Sequence, residues 1–130
     1  MIALAKKRLS AYNQDRLELS VGEATELAAG DAAFDAVFDF GILHHVPDWQ
    51  RAVKEIARVL KPGGLFYFEE VTKQALDRWV YRTFFDHPKD NRFGVSEFIS
   101  ELRSNGISID HTEAILSSDI FGGVGKRIAK

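Results

Sequence analysis

Cysteine is absent from this 130-residue chain, which excludes disulfides, thiolate metal sites and a cysteine nucleophile. An excess of one charge is also absent, because 17 basic residues stand against 19 acidic ones and the net charge is -2. A chain with this charge balance has no positive electrostatic field that would attract nucleic acid or an anionic membrane. No stretch approaches the roughly 18 apolar residues of a membrane span, and the first ten residues are too polar for a signal peptide. These absences favour a cytoplasmic protein that binds small molecules or another protein.

The rest of the composition is that of a globular domain. Hydrophobic residues make up 45% of the chain, charged residues make up 28%, and there are ten glycines. A chain of this length can bury roughly two thirds of the surface that it exposes when unfolded. We therefore expect residues 1–130 to form a single domain with one core.

Two predicted strands differ in their pattern. Leu17, Leu19 and Val21 alternate with polar residues, as in a half-buried edge strand. Ala36–Ile42 is almost continuously apolar, which predicts a central parallel strand that is covered on both faces. Further strands are predicted at Leu65–Val71 and, as an antiparallel hairpin, at about 107–116 and 120–128.

Helices are predicted where apolar residues recur at spacings of three and four. Asp48 and Thr72 each supply a side-chain oxygen that can cap the amides of a following helix. Pro62-Gly63-Gly64 and Asn105-Gly106 end helices. The predicted helices cover residues 2–12, 49–60, a segment after Thr72, and a segment around Phe98, Ile99 and Leu102. Alternation of strands and helices favours an α/β fold.

At this point the sequence resembles a known family. The segments AKKRL, VGEATEL, FDAVFDFGILHHVPDWQRAVKEIARVLKPGGLFYFEE and HPKDNRFGVSEFISELRSNGI resemble, in order and spacing, the later motifs of class I S-adenosylmethionine-dependent methyltransferases. The branch that includes the ubiquinone and menaquinone biosynthesis methyltransferases is the most similar. The resemblance implies a three-layer, Rossmann-like sheet and S-adenosylmethionine as the cofactor.

The resemblance also implies a cofactor site at the carboxyl ends of the parallel strands. Glu23 and Ala24 match the turn that lies against the adenine, so Glu23 is expected to accept from the adenine amino group. Asp39, Phe40 and Gly41 match the strand end beside the methionine half of the cofactor.

Asp39 and His44 are the candidate catalytic residues. Asp39 either orients the ammonium of the cofactor, takes a proton from the acceptor, or caps the loop that follows; we favour the cap. His44 begins the segment that borders the acceptor, and it is a candidate proton acceptor for a hydroxylated substrate. A metal site at His44-His45 is disfavoured, because adjacent residues of an extended segment point to opposite faces and no further ligand recurs at i+4.

The acceptor is expected to be small and apolar or aromatic. This expectation comes from a helical segment whose place in the family pattern covers the acceptor, and whose aromatic residues are Trp79, Tyr81, Phe84 and Phe85.

The chain departs from the family pattern in its first part. No G-x-G-x-x-G-like turn occurs before residue 30, and Gly122–Gly125 is not followed by a helix. The resemblance therefore covers the C-terminal two thirds of a methyltransferase domain, without the first two strands, the glycine turn and the ribose-binding acid. In the family sheet that leaves a gap of roughly 14 Å beside Ala36–Ile42. Either Leu17–Val21 slides inward to pair there, or two chains form a homodimer through the exposed sheet edge; we favour the dimer.

Two functions follow. The first is an S-adenosylmethionine-dependent methyltransferase whose donor site is incomplete in this chain. The second is a non-catalytic binding or dimerisation module derived from such an enzyme, because the glycine turn and the ribose acid supply the contacts that anchor the donor.

Overall fold

A computed structural model describes residues 1–82, 91–115 and 119–129 of the chain. The helices and strands of these residues are α1 Ile2–Arg8, β1 Phe34–Phe40, α2 Trp49–Val59, β2 Leu60–Val71, α3 Lys73–Arg82, α4 Val95–Ser104, β3 Ile107–Ile115 and β4 Ile120–Arg127. Short 3₁₀ turns lie at Gln14–Arg16 and Leu43–His45. The predicted α/β class is confirmed. In the described ranges no helix has the length and apolar character needed to cross a membrane.

The described strands form one mixed sheet in the order β1-β2-β4-β3. β1 runs parallel to β2, with Asp39 beside Phe68. β4 is antiparallel to both of its neighbours, so the predicted C-terminal hairpin is confirmed. The carboxyl ends of β1 and β2 therefore meet at one end of the sheet.

Helices α2 and α4 cover one face of this sheet, and the core lies beneath them. Phe66 and Phe68 of β2 project from that face and are at most 3% exposed. The ring of Phe98 from α4 lies 5.2 Å from that of Phe68. The other buried core side chains include Leu43, Trp49, Ala52, Val53, Ile56, Ala57, Leu60, Phe93, Leu102, Ile107 and Phe121.

The predicted helix ends are confirmed where a local signal specifies them. The carboxylate of Asp48 accepts from the backbone N of Arg51 at 3.3 Å, and the hydroxyl of Thr72 accepts from the backbone N of Ala75 at 3.2 Å. Gly106 follows α4 with φ +75°, a conformation that glycine adopts without strain. By contrast, α1 ends at Arg8 rather than near residue 12.

The structure has no break between α2 and β2. The predicted helix end before Pro62-Gly63-Gly64 is confirmed, since α2 ends at Val59. The following strand begins earlier than predicted, because β2 starts at Leu60 rather than Leu65 and continues through these residues. A Cβ on Gly64 would lie 2.9 Å from the carbonyl oxygen of Lys61 and 3.1 Å from that of Asp35. Gly64 thus lets β2 pass close to β1, where the register between the two strands shifts.

Two strand predictions are corrected. Leu17–Val21 forms no strand and has no ladder partner among the described residues, so both the predicted strand and the inward-sliding alternative are wrong. The strand predicted at Ala36–Ile42 lies at Phe34–Phe40 and is an edge strand in the described sheet. One of its faces is open, since Phe38 is 59% and Phe40 67% exposed. An apolar run indicates burial in a core, but it does not specify which segment covers it.

Candidate active site

Glu70 is the centre of a buried polar cluster at the end of β2. It follows Phe66 and Phe68 at a spacing of two, so strand alternation turns it toward the covered face, where it is 0% exposed. Oε1 of Glu70 accepts from the backbone N of Leu43 at 2.6 Å. Oε2 accepts from the backbone N of His44 and of Val71, each at 3.3 Å, and lies 2.6 Å from Nδ1 of His44. One carboxylate thereby fixes the turn after β1.

Asp39 supplies the second carboxyl group, from the end of β1. Its Oδ1 accepts from the backbone N of Ile42 at 3.1 Å, so Asp39 caps the loop that follows, in agreement with the alternative that we favoured. Its Oδ2 is buried and accepts no hydrogen bond from any described residue. Gly41, at φ +67°, donates its N–H to the carbonyl oxygen of Glu69 at 2.7 Å. This left-handed glycine turns the chain so that Leu43 and His44 face Glu70.

The two carboxyl groups differ in protonation. Burial raises the pKa of Asp39 to about 8, and the charge of Glu70 and a hydrogen bond to it add to this shift. Burial also raises the pKa of Glu70, but the hydrogen bonds from Asp39 and from three backbone N–H groups oppose that shift. At pH 7 a pKa of about 8 favours the neutral form of Asp39, whereas Glu70 has the donors that stabilise an anion.

His44 contributes the third side chain of the cluster. Burial lowers its pKa, and the charge of Asp39 opposes that shift. A neutral imidazole that donates Nδ1–H to Glu70 carries its lone pair on Nε2. His44 and His45 belong to the 3₁₀ turn Leu43–His45, and their rings lie 4.0 Å apart. The prediction that they point to opposite faces is wrong, since it assumed an extended segment.

The other predicted site residues are not part of the Glu70 cluster. Glu23 is exposed in a turn that is closed by a bond of 3.1 Å from the backbone N of Glu26 to the carbonyl oxygen of Glu23. Ala24 packs against the core. The side chains of Trp79, Tyr81, Phe84 and Phe85 lie outside the described part of the chain. In the described ranges no group of three or more His, Asp or Glu side chains has an arrangement that could hold a metal ion.

Sequence reasoning missed Glu70. Glu69 and Glu70 end an apolar strand, and a charged pair in that place usually indicates solvent. Parity would have separated them, because Glu70 is in phase with Phe66 and Phe68 whereas Glu69 is in phase with Tyr67. The alternation along β2 was therefore the available signal.

A model of the methyltransferase domain family matches residues 1–68. The chain belongs to this family. Demethylmenaquinone methyltransferase of Bacillus cytotoxicus is 36% identical over 90 residues, which make up 67% of this chain and 38% of that protein. The methyltransferase solved in complex with the Haloferax volcanii Trm112 activator has a TM-score of 0.82 at 19% identity, over 100% of this chain and 68% of its own. A SAM-dependent methyltransferase of Methanosarcina mazei has a TM-score of 0.75 at 19% identity, over 99% of this chain and 78% of its own.

The chain thus spans about two fifths of the curated methyltransferase that it matches, and the solved methyltransferases share its fold. S-adenosylmethionine is the methyl donor of this family. Asp39 is 5% exposed, and its raised pKa of about 8 disfavours an ion pair with the donor's ammonium at neutral pH. Glu23 and Phe40 have exposed side chains that fit a ligand contact. Donor contacts stay predictions for all the residues that the resemblance implied, which are Glu23, Ala24, Asp39, Phe40 and Gly41.

Proposed function

We propose that this chain forms the acceptor side of an S-adenosylmethionine-dependent methyltransferase whose acceptor is a hydroxyl group on a small apolar or aromatic compound. The observation that carries the proposal is the contact of 2.6 Å between His44 Nδ1 and Glu70, at the strand ends where α/β folds bind ligands. The name of the Bacillus cytotoxicus relative, demethylmenaquinone methyltransferase, supports an aromatic acceptor.

In this proposal His44 takes the proton of the acceptor hydroxyl. S-adenosylmethionine, when bound, supplies a methyl group on a sulfonium for in-line transfer to the hydroxyl oxygen. The proton goes to Nε2 of His44, which is the basic nitrogen while Nδ1–H donates to Glu70. Glu70 then faces an imidazolium at 2.6 Å, and its negative charge stabilises that cation.

The donor side is proposed to be incomplete within these 130 residues. Backbone amides of a glycine-rich turn bind the donor in folds of this type, and no such turn occurs before residue 30. The chain therefore offers Glu23, Phe40 and Gly41 as donor contacts without an amide cradle.

Calorimetric titration with 2-naphthol, a stable aromatic hydroxyl compound, tests the acceptor side. We expect His44→Gln to weaken binding roughly tenfold, because loss of a hydrogen bond to a buried site costs about 1.4 kcal/mol. His111→Gln is the matched control, since His111 is exposed on β3, and it should bind like the parent chain. Equal binding by the parent and His44→Gln would contradict the proposal.

Titration with S-adenosylmethionine tests the donor side separately. We expect a dissociation constant weaker than about 1 mM, which corresponds to roughly -4 kcal/mol. Micromolar affinity would contradict an incomplete donor site. Failure of the chain to bind either compound would favour the non-catalytic module.

A second copy of the chain is the proposed partner. Gly41 N bonds to β2, so the backbone groups of Ala36, Phe38 and Phe40 point away from β2. Antiparallel pairing of two β1 strands about Val37 would set Phe34 opposite Phe40 and Ala36 opposite Phe38, with outward groups facing one another. Asp35 would lie opposite Asp39, and this contact avoids like charges because Asp39 is neutral.

The dimer is tested by measuring the solution mass at micromolar concentration. A mass of twice 14.6 kDa that becomes monomeric on Phe38→Pro supports the β1 interface, because proline removes an edge donor. A clean monomer contradicts it. The absence of cysteine is compatible with the reducing cytoplasm that we infer as the location.

A further inference from the structure

Asp39 and Glu70 are neighbouring buried carboxyl groups with very different hydrogen bonding. Glu70 receives three backbone N–H groups and the ring nitrogen of His44. Asp39 receives only the backbone N–H of Ile42, on Oδ1. Its Oδ2 has no donor within the described residues although it is buried. A buried carboxyl oxygen that accepts nothing is expected to carry a proton, because an anionic oxygen would be left without compensation.

We propose that Asp39 is a positioning residue that shares one proton with Glu70 and acts through Glu70 on His44. Asp39 Oδ2–H donates to Glu70, and this bond completes the set of donors that keeps the Glu70 carboxylate oriented toward His44 Nδ1. The inference rests on the proposed function for the meaning of His44, but the shared proton itself does not depend on methyl transfer.

The charged groups around the proton are few in the described part of the chain. Glu70 faces Asp39 from β2. His44 faces the pair from the 3₁₀ turn, and the ring of His45 lies beside it at an interplanar angle of 39°. When the shared proton is lost, two negative charges lie side by side in a buried site. His44 donates Nδ1–H to Glu70, so its ring should sense the loss of the shared proton through this hydrogen bond.

Asp39→Asn and Glu70→Gln separate the proposal from a merely structural role. The amide of Asp39→Asn still donates to Glu70, so we expect His44 to keep its proton on Nδ1 at pH 7. Glu70→Gln removes the negative charge that faces His44 Nδ1, while two backbone N–H groups favour the amide oxygen on that side. We therefore expect the Nδ1–H bond to weaken and the tautomer population to shift toward Nε2. Ring ¹⁵N spectra of the 130-residue chain report this tautomer directly. A tautomer that is unchanged in Glu70→Gln would overturn the proposal.

The parent chain supplies a test that needs no variant. Carboxyl ¹³C signals followed from pH 4 to pH 10 should show Asp39 titrating near pH 8, and the ring ¹⁵N signals of His44 should move at the same midpoint. In Asp39→Asn the movement of His44 at that midpoint should disappear. Titration of both carboxyl groups below pH 5, or a His44 signal that ignores the Asp39 midpoint, would overturn the shared proton. The pH titration is done without ligand, so a negative result in it can be distinguished from a failure to bind 2-naphthol.

Discussion

The two faces of the β1-β2 pair contrast in how they are covered. On the face under α2 and α4, Phe66 and Phe68 are buried, and the same face ends in the Asp39 and Glu70 carboxyl groups. On the opposite face, Phe38 stacks on Tyr67 with ring centroids 4.7 Å apart, yet Phe38 is 59% exposed. A cavity of about 270 Å³ lies on this open face, between the aromatic side chains and β4. The contrast teaches that aromatic residues on one strand pair can form a packed core on one face and remain exposed on the other.

The largest difference in the free energy of unfolding is expected when one aromatic ring is removed from each face. Phe98→Ala removes a fully buried ring that contacts Phe68, Phe93 and Phe121, so we expect a loss of about 3–5 kcal/mol in the free energy of unfolding. Phe40→Ala removes a ring that is 67% exposed and should cost about 0.5 kcal/mol or less. Urea unfolding of both variants gives the two values, and similar losses would show that the open face is also a packed core.

Addition of one methyl group tests how tightly the covered side is filled. A Cβ on Gly125 would lie 2.5 Å from Ile107 Cγ2 and 3.0 Å from Ile109 Cδ1. We expect Gly125→Ala to destabilise the fold by about 1–3 kcal/mol. Gly22→Ala is the control, because no atom lies within 4 Å of its added Cβ. Equal thermal midpoints for the two variants would mean that β3 and β4 can separate without cost. Close packing also accounts for glycine at position 123, where an added Cβ would lie 2.7 Å from the carbonyl oxygen of His111.

The carboxyl pair should make stability depend on pH in a particular direction. Between pH 6.5 and pH 8 folded Asp39 holds a proton that the unfolded chain has lost, since its pKa rises from 3.8 to about 8 on folding. Stability therefore falls as the pH rises, by at most about 1.4 kcal/mol per pH unit for one proton. The lowered pKa of His44 acts below pH 6.5 and in the opposite sense. Denaturant unfolding should show the fall in the parent chain and not in Asp39→Asn, and parallel profiles would be evidence against a protonated Asp39.

The smallest expected effect concerns residues 27–29, a segment that precedes β1 and is bound to α2 by hydrogen bonds. Glu55 accepts from the backbone N of Leu27 at 2.9 Å and from Arg58, whose side chain also bonds to the carbonyl oxygens of Leu27 and Ala29. These bonds, chiefly that with Arg58, lower the pKa of Glu55 to about 2. The hydrogen bond between Glu55 and the Leu27 amide, which we call the tether, should therefore persist in mild acid. Glu55→Gln should speed hydrogen exchange at the Leu27 amide with little change in global stability.

Glu26→Gln is the control for that experiment. Glu26 lies 3.9 Å from Arg51, and both side chains are largely exposed, so the pair contributes little. Exchange at Leu27 that is as slow in Glu55→Gln as in Glu26→Gln would show that the tether is not needed.

Local signals predicted much of this fold. Asp48, Thr72 and Gly106 each act within a few residues of the chain, and the structure has the ends that they specify. The place of β1 in the sheet could not be predicted in this way. An apolar strand indicates that other residues cover it, but it does not indicate which residues they are. The Asp39 and Glu70 pair is nonlocal too, since the two residues meet only through the parallel register of β1 and β2.

Mapping where 2-naphthol binds tests the central claim most directly, since the claim is that function lies at the strand ends and not on the open aromatic face. Amide ¹⁵N–¹H spectra recorded during the titration should show the largest shifts at Asp39, in residues 42–45 and at Glu70. Shifts concentrated instead at Phe38, Tyr67 and Val124, which line the cavity of the open face, would contradict the account.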